Sequence, residues 1–223
     1  KMSKNLFKYR MYGRRQARKK NNFNTNNKEK NVIEDINSKK IKFLKKNYNI
    51  LDIGSGSGES TLHLNDRYPD SQIIACDNFK DGNINLSNKI LSKKLNNIII
   101  FNGNVLELID KKIKEDTLDS VWILFPDPWP KKRHSKRRLI SSFFIKKLSN
   151  LIKKNGHIHI AIDTDFYLRQ ILIIIHKYRK IFLWENQGFE SWEYDDSTLP
   201  KTKYYKKAMK FDRIPFYINL KKL

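Results

Sequence analysis

Five short apolar runs punctuate the chain: Asn49–Ile53, Gln72–Asp77, Asn97–Phe101, Val121–Phe125 and His157–Ile162. Each is five or six residues long, too short for a buried helix and rich in Ile, Leu, Val or Phe, which predicts buried strands. Between them, Glu59–Arg67, residues 78–95, residues 106–114, Arg137–Lys153 and Phe166–Tyr178 place apolar residues at helical spacing. In Arg137–Lys153 the stripe is Leu139, Phe143, Phe144, Leu148 and Leu151, with Asn155-Gly156 as its stop. Residues 31–46 predict one more short amphipathic helix ahead of the first strand. Residues 185–203 are polar and irregular, and Ile214–Leu220 predicts an antiparallel pair at the sheet edge. Strand and helix in alternation predict an α/β fold with a mostly parallel sheet.

Charge changes the picture. The 223 residues carry a formal net charge of +23, and such an imbalance opposes compaction unless a polyanion accepts it. Eleven Lys and Arg against one acid, Glu29, fall in residues 1–30. That segment reads as a basic arm ahead of a single domain over residues 31–223. Nucleic acid is the expected polyanion. The longest apolar stretch, Ile171–Ile175, is far too short to cross a bilayer, so no membrane partner is expected. One cysteine, Cys76, forbids an intrachain disulfide. A cytoplasmic protein, monomer or homodimer, fits.

The candidate chemistry stands where the strands end. Asn49–Ile53 runs into Gly54-Ser55-Gly56-Ser57-Gly58 and then a helix, the opening of a nucleotide-type α/β unit. The spacing is G-x-G-x-G, and Glu59 stands where a dinucleotide fingerprint has its third glycine. Asp52, two residues before the loop, would repel a pyrophosphate and attract a cation. S-adenosylmethionine carries a sulfonium and an ammonium, so it suits this loop better than NAD does. Asp77, 19 residues after Gly58, suits a ribose diol, and Asn104 follows the next strand.

After Val121–Phe125 comes Pro126-Asp127-Pro128-Trp129-Pro130, a stiff loop that can continue neither strand nor helix. Six of the next eight residues are Lys131, Lys132, Arg133, Lys136, Arg137 and Arg138. A carboxylate and an indole beside a dense cationic run suit a nucleic-acid base with its phosphates held alongside. His157 and His159 share one face of their strand, but further ligands are lacking, so no metal is expected.

Leu51–Gly58, Phe125–Arg138, Asp163–Asp165 and Thr202–Tyr205 resemble, in that order, the bacterial tRNA (guanine-N7)-methyltransferases of the TrmB type. Tyr12–Gln16 resembles that family's N-terminal segment. The resemblance implies a class I S-adenosylmethionine-dependent methyltransferase fold, Rossmann-like, with a mostly parallel sheet and an antiparallel C-terminal edge. It implies methyl transfer to N7 of guanine(46) in the variable loop of tRNA. Asp52, Asp77, Asn104 and Asp127 would line the cofactor site. Lys131, Asp165, Thr202, Lys203, Tyr204 and Tyr205 would hold the substrate, and Arg133, His134, Lys136, Arg137 and Arg138 would contact RNA. Asp127 is the candidate catalytic residue, accepting hydrogen bonds from the guanine edge as it becomes cationic. Three positions depart from the family pattern: Asp52 stands for Glu, Asn104 for Asp and Tyr205 for Glu. They keep open a non-catalytic RNA-binding protein on the same fold. An enzyme acting on a base's exocyclic amine is a further alternative, opposed by the single proline between Asp127 and Trp129.

Overall fold

The structure is a computed structural model that describes residues 9, 32–43, 48–186, 188, 190–195 and 197–223. The basic arm, Tyr9 apart, lies outside the described residues. The chain divides into two compact units, residues 1–114 and 115–223.

The first unit holds β1 (Ile33–Glu34), β2 (Tyr48–Ile53), α1 (Glu59–Arg67), β3 (Ser71–Asp77), α2 (Lys80–Ser92), β4 (Ile98–Asn102) and α3 (Val105–Lys111). Its strands pair in the order β1-β4-β3-β2, all parallel. Asn49–Ile53 and Ser71–Cys76 are buried throughout, as continuous apolar strands of a parallel sheet must be. Leu64 of α1 and Leu86 of α2 are fully buried. The helix expected over residues 31–46 is not what forms across 32–43. Asp35 Oδ1 accepts from Asn37 N at 2.8 Å and Ser38 Oγ from Lys40 N at 3.1 Å. These side-chain turns compete with helical hydrogen bonds, so the segment makes β1 and two turns instead.

The second unit holds β5 (Leu118–Leu124), α4 (Ser142–Leu151), β6 (Ile152–Ile162), α5 (Asp165–Lys177), β7 (Phe182–Trp184), α6 (Lys203–Lys210) and β8 (Phe216–Lys222). Its order is β5-β6-β8-β7, with β5 and β6 parallel and β8 antiparallel to both of its neighbours. The C-terminal antiparallel edge thus forms, with β7 as a three-residue strand too short to leave a pattern in the sequence. α4 begins at Ser142 rather than Arg137, because Ser141 Oγ accepts from Phe144 N at 3.2 Å and caps it there. Residues Lys132–Arg137 form a separate 3-10 turn. Asn155-Gly156 ends no helix. It lies in β6, where the register jumps from Leu118↔Ile152 to Ser120↔His157, with Asn155 at φ 63°. A Cβ on Gly156 would stand 2.9 Å from the Asp119 carbonyl oxygen, so glycine is what lets this bulge close. α6 falls in and beyond the tract expected to be irregular; only Ala208 is buried along it, so no apolar stripe announces it.

Candidate active site

In the first unit the candidate cofactor residues stand at consecutive strand ends. Gly54, Gly56 and Gly58 have φ of 79°, 55° and 82°, a left-handed run that side chains with a Cβ resist. Two contacts fix the loop. Gly54 N donates to the Cys76 carbonyl at 2.8 Å, and Gly56 N donates to Asp77 Oδ2 at 2.8 Å. Asp77 Oδ1 accepts from Phe79 N at 2.9 Å, so this carboxylate ties the glycine loop to the turn after β3. A Cβ at Gly54 would meet nothing within 4 Å, so open space adjoins the loop there. Asn104 caps α3, its Oδ1 accepting from Leu106 N at 2.8 Å.

Asp52 is enclosed, at 1% exposure. Its Oδ2 accepts from Ser60 Oγ at 2.7 Å and Thr61 Oγ1 at 2.6 Å, both in the first turn of α1. Among the described residues no hydrogen bond reaches its Oδ1. Burial pushes this carboxyl from the ordinary 3.8 up to about 6; the two hydroxyls pull it down and Asp77 pushes it up. Between those pH values the folded chain binds a proton that the unfolded chain releases. The group's stabilising contribution is therefore present at low pH and lost as pH rises through about 6. An asparagine side chain in its place could accept the same two hydroxyl hydrogen bonds without a charge. Asp52→Asn is expected to match the wild type near pH 4 and to exceed its stability at pH 8 by up to about 3 kcal/mol. Urea unfolding across pH 4–8 reads this directly, and parallel curves for the two proteins would refute it.

In the second unit Asp127 is exposed on the loop that leaves β5. Phe125 N donates to the Ala161 carbonyl at 2.9 Å, which continues the β5–β6 pairing by one residue. Phe125 and Trp129 then take φ of 53° and 43°. Bulky residues adopt such backbone only where surroundings impose it. At Trp129 the surroundings are Arg138. Its Nε donates to the Pro128 carbonyl at 2.8 Å and its Nη2 to the Trp129 carbonyl at 3.2 Å. Its Nη1 donates to Gln170 Oε1 at 2.5 Å, and Gln170 Nε2 donates to the Ile140 carbonyl at 3.1 Å. The guanidinium lies 5.0 Å from the Phe166 ring centroid and 5.5 Å from that of Tyr167. Tyr167 is fully buried, its phenol pushed up to about 12 by burial, and its Oη accepts from Ile140 N at 2.9 Å. Arg138 thus clasps the loop to α5, its guanidinium hydrogen-bonded within the chain. Nothing in the sequence marked Gln170 or Tyr167, whose partners lie about 30 residues away.

Lys131, Arg133 and Lys136 are exposed on or beside the 3-10 turn, and His134 and Arg137 are half-buried. Arg137 lies 5.0 Å from the Trp129 ring centroid and His134 meets the same ring edge-on at 5.8 Å. Desolvation first, and then Arg137, Arg133 and Lys131, hold the His134 imidazolium below its ordinary range. Asp165 is exposed at the first turn of α5, while Asp163 pairs with Arg213 at 2.9 Å. Thr202 Oγ1 accepts from Tyr205 N at 3.1 Å and caps α6; Lys203 and Tyr204 are exposed. Tyr205 stacks on Tyr194 with centroids 4.9 Å apart, and Tyr194 meets Phe125 at 5.6 Å. That aromatic chain joins the Thr202–Tyr205 segment to the root of the Asp127 loop, and gives Tyr205 a packing role that a glutamate could not fill. His159 stacks on Trp122 at 4.0 Å, and His157 Nε2 lies 3.3 Å from Glu185. Among the described residues no three His, Cys, Asp or Glu are placed to hold a metal ion.

Glycine loop, strand-end acids and antiparallel C-terminal strands define a class I S-adenosylmethionine-dependent methyltransferase fold, as in several solved methyltransferases. One of them, from Streptococcus mutans and in complex with SAH, aligns at a TM-score of 0.51 and 13% identity, covering 81% of this chain and 92% of that one. A family model described as "Putative methyltransferase" matches residues 46–216. The tRNA (guanine-N(7)-)-methyltransferase of Erythrobacter litoralis is 30% identical over 172 residues, 77% of this chain and 73% of that one. That of Neisseria meningitidis is 40% identical over 129 residues, 58% of this chain and 54% of that one. The chain spans about half the length of the Neisseria relative and of several others. It belongs to the tRNA (guanine-N7)-methyltransferase family.

Proposed function

We propose that the protein transfers the methyl group of S-adenosylmethionine to N7 of a guanine in tRNA, at position 46 of the variable loop. The observation that carries this reading is the Asp127 loop: a carboxylate on strained, clasped backbone, followed at once by a cationic turn, in a chain of this family. S-adenosylmethionine supplies an electrophilic methyl group on a sulfonium. The first unit's residues fit such a ligand. Among the described residues no hydrogen bond occupies Asp52 Oδ1, Gly54 opens onto free space, and each Asp77 oxygen retains a second lone pair for a ribose hydroxyl.

Guanine N7 has a lone pair and no proton, so no general base is needed. The reaction carries positive charge onto the purine, and the protein's work is in-line positioning and negative potential at the base. Asp127 supplies that potential, accepting hydrogen bonds from the guanine edge. Trp129 gives the base a flat wall. Lys131, Arg133, Lys136 and Arg137 hold phosphates, with Asp165 and Thr202–Tyr205 bordering the substrate. Among the described residues no helix is long and apolar enough to cross a membrane, and a tRNA substrate suits a place in the cytoplasm.

Unmodified tRNA incubated with methyl-labelled S-adenosylmethionine, digested and resolved into nucleosides, tests the reading. Labelled 7-methylguanosine is expected. Label on another nucleoside would overturn the substrate atom. Intact tRNA binding without label would favour a non-catalytic RNA binder.

A further inference from the structure

α6 carries Lys203, Lys206, Lys207 and Lys210, spaced i, i+3, i+4, i+7, and all four are exposed. That spacing lines them along a single helix face. The opposite face holds Ala208, fully buried, and Tyr205, stacked on Tyr194 at 4.9 Å. The helix is therefore docked through Ala208 and Tyr205, and the aromatic chain Tyr205–Tyr194–Phe125 fixes which way the lysines point. The helix contains no acid. Neighbouring lysines repel one another at these spacings, and Lys203 stands at the N-terminal end, where a helix disfavours cations. Among the described residues no carboxylate pairs with Lys206, Lys207 or Lys210. Tyr204 flanks the stripe at 45% exposure, with the Lys203 ammonium 5.3 Å from its ring centroid. Phe211, 60% exposed, follows it.

We infer that this lysine face is a second RNA-binding surface, gripping the sugar-phosphate backbone with residues other than those of the 131–138 turn. Repelling cations in a row are stabilised by a polyanion with regularly spaced charges. An exposed tyrosine beside them suits an unstacked base. An anionic membrane fits less well, because the exposed apolar residues of the helix, Tyr204 and Met209, flank the lysines on different sides and form no single stripe to enter lipid. The identity of the RNA as tRNA rests on the proposed function; the surface itself does not.

The test compares the full chain with Lys206→Gln/Lys207→Gln/Lys210→Gln and with Lys93→Gln/Lys94→Gln/Lys114→Gln, which removes equal charge from exposed positions of the first unit. Binding of unmodified tRNA is measured across 50–300 mM salt. The α6 variant is expected to bind about tenfold more weakly at the lowest salt, with a log–log salt slope smaller by about 3. Its KM for tRNA should rise with kcat unchanged. Equal losses in the two variants would reduce the effect to net charge and overturn the inference. So would an unchanged α6 variant, or one that loses phosphatidylserine vesicle binding but no tRNA binding. Circular dichroism and thermal unfolding check that both variants remain folded. If the wild type binds tRNA in an α6-dependent way yet forms no 7-methylguanosine, the proposed reaction fails and this surface stands.

Discussion

Asp127→Asn is expected to lower kcat on tRNA by about 10²–10³-fold, the range for losing one oriented group that stabilises developing charge. The substitution preserves shape and leaves one oxygen to accept a hydrogen bond, but it removes the negative charge. A neutral acceptor can still help to hold the ground-state guanine, which is uncharged. It does much less for the purine once the methyl group has arrived and the ring is cationic. The loss should therefore appear equally in kcat and kcat/KM, the sign of an interaction made chiefly in the transition state. Affinity for tRNA should stay within about threefold, because the phosphate grip lies in the lysines and arginines. Single-turnover measurement separates chemistry from product release. If Asp127→Asn keeps kcat within about fivefold of the wild type, Asp127 does not stabilise the charge. If KM alone rises, it is a binding residue and no more.

How much of this could be read from sequence depends on how local the cause is. α1 runs over Glu59–Arg67 as its pattern predicts, and the buried strands fall within two residues of their apolar runs, except that β6 starts five residues early and β5 three. The glycine loop could be read because its residues dictate backbone conformation by themselves. The failures share a different origin. Residues 32–43 carry helical spacing, but the hydroxyl of Ser38 and the carboxylate of Asp35 capture backbone N–H groups first. Asn155-Gly156 is a fair helix stop by composition, yet it serves a bulge whose need arises from Asp119 on another strand. β7 and α6 bury too few side chains to leave a stripe. The cationic run shows charge but not direction, and only the distant Gln170 and Tyr167 decide which of its members turns inward.

That member is Arg138, and its loss is the second large effect expected. Arg138→Lys should reduce kcat about 10²-fold, the scale of a one-ångström misplacement of a reacting group, although Arg138 touches neither substrate nor cofactor in the proposed reaction. A lysine has three donors on a point charge and no planar fork, so it cannot span the Pro128 carbonyl, the Trp129 carbonyl and Gln170 together. Without the clasp, Trp129 is free to leave its φ of 43°, and the segment carrying Asp127 moves with it. As a positioning residue, Arg138 has a signature that a phosphate contact would not share. The KM for tRNA and the salt slope of binding should stay near wild-type values while kcat falls. Arg133→Gln, at an exposed position of the turn, should do the reverse, lowering the slope by about 1 with kcat kept. Stability should fall by about 1–3 kcal/mol as the orphaned acceptors lose their donor, which thermal unfolding will register. If Arg138→Lys instead weakens binding with a shallower salt slope and normal kcat, its guanidinium belongs to the RNA contact after all. If it changes neither, the loop holds its conformation without the clasp.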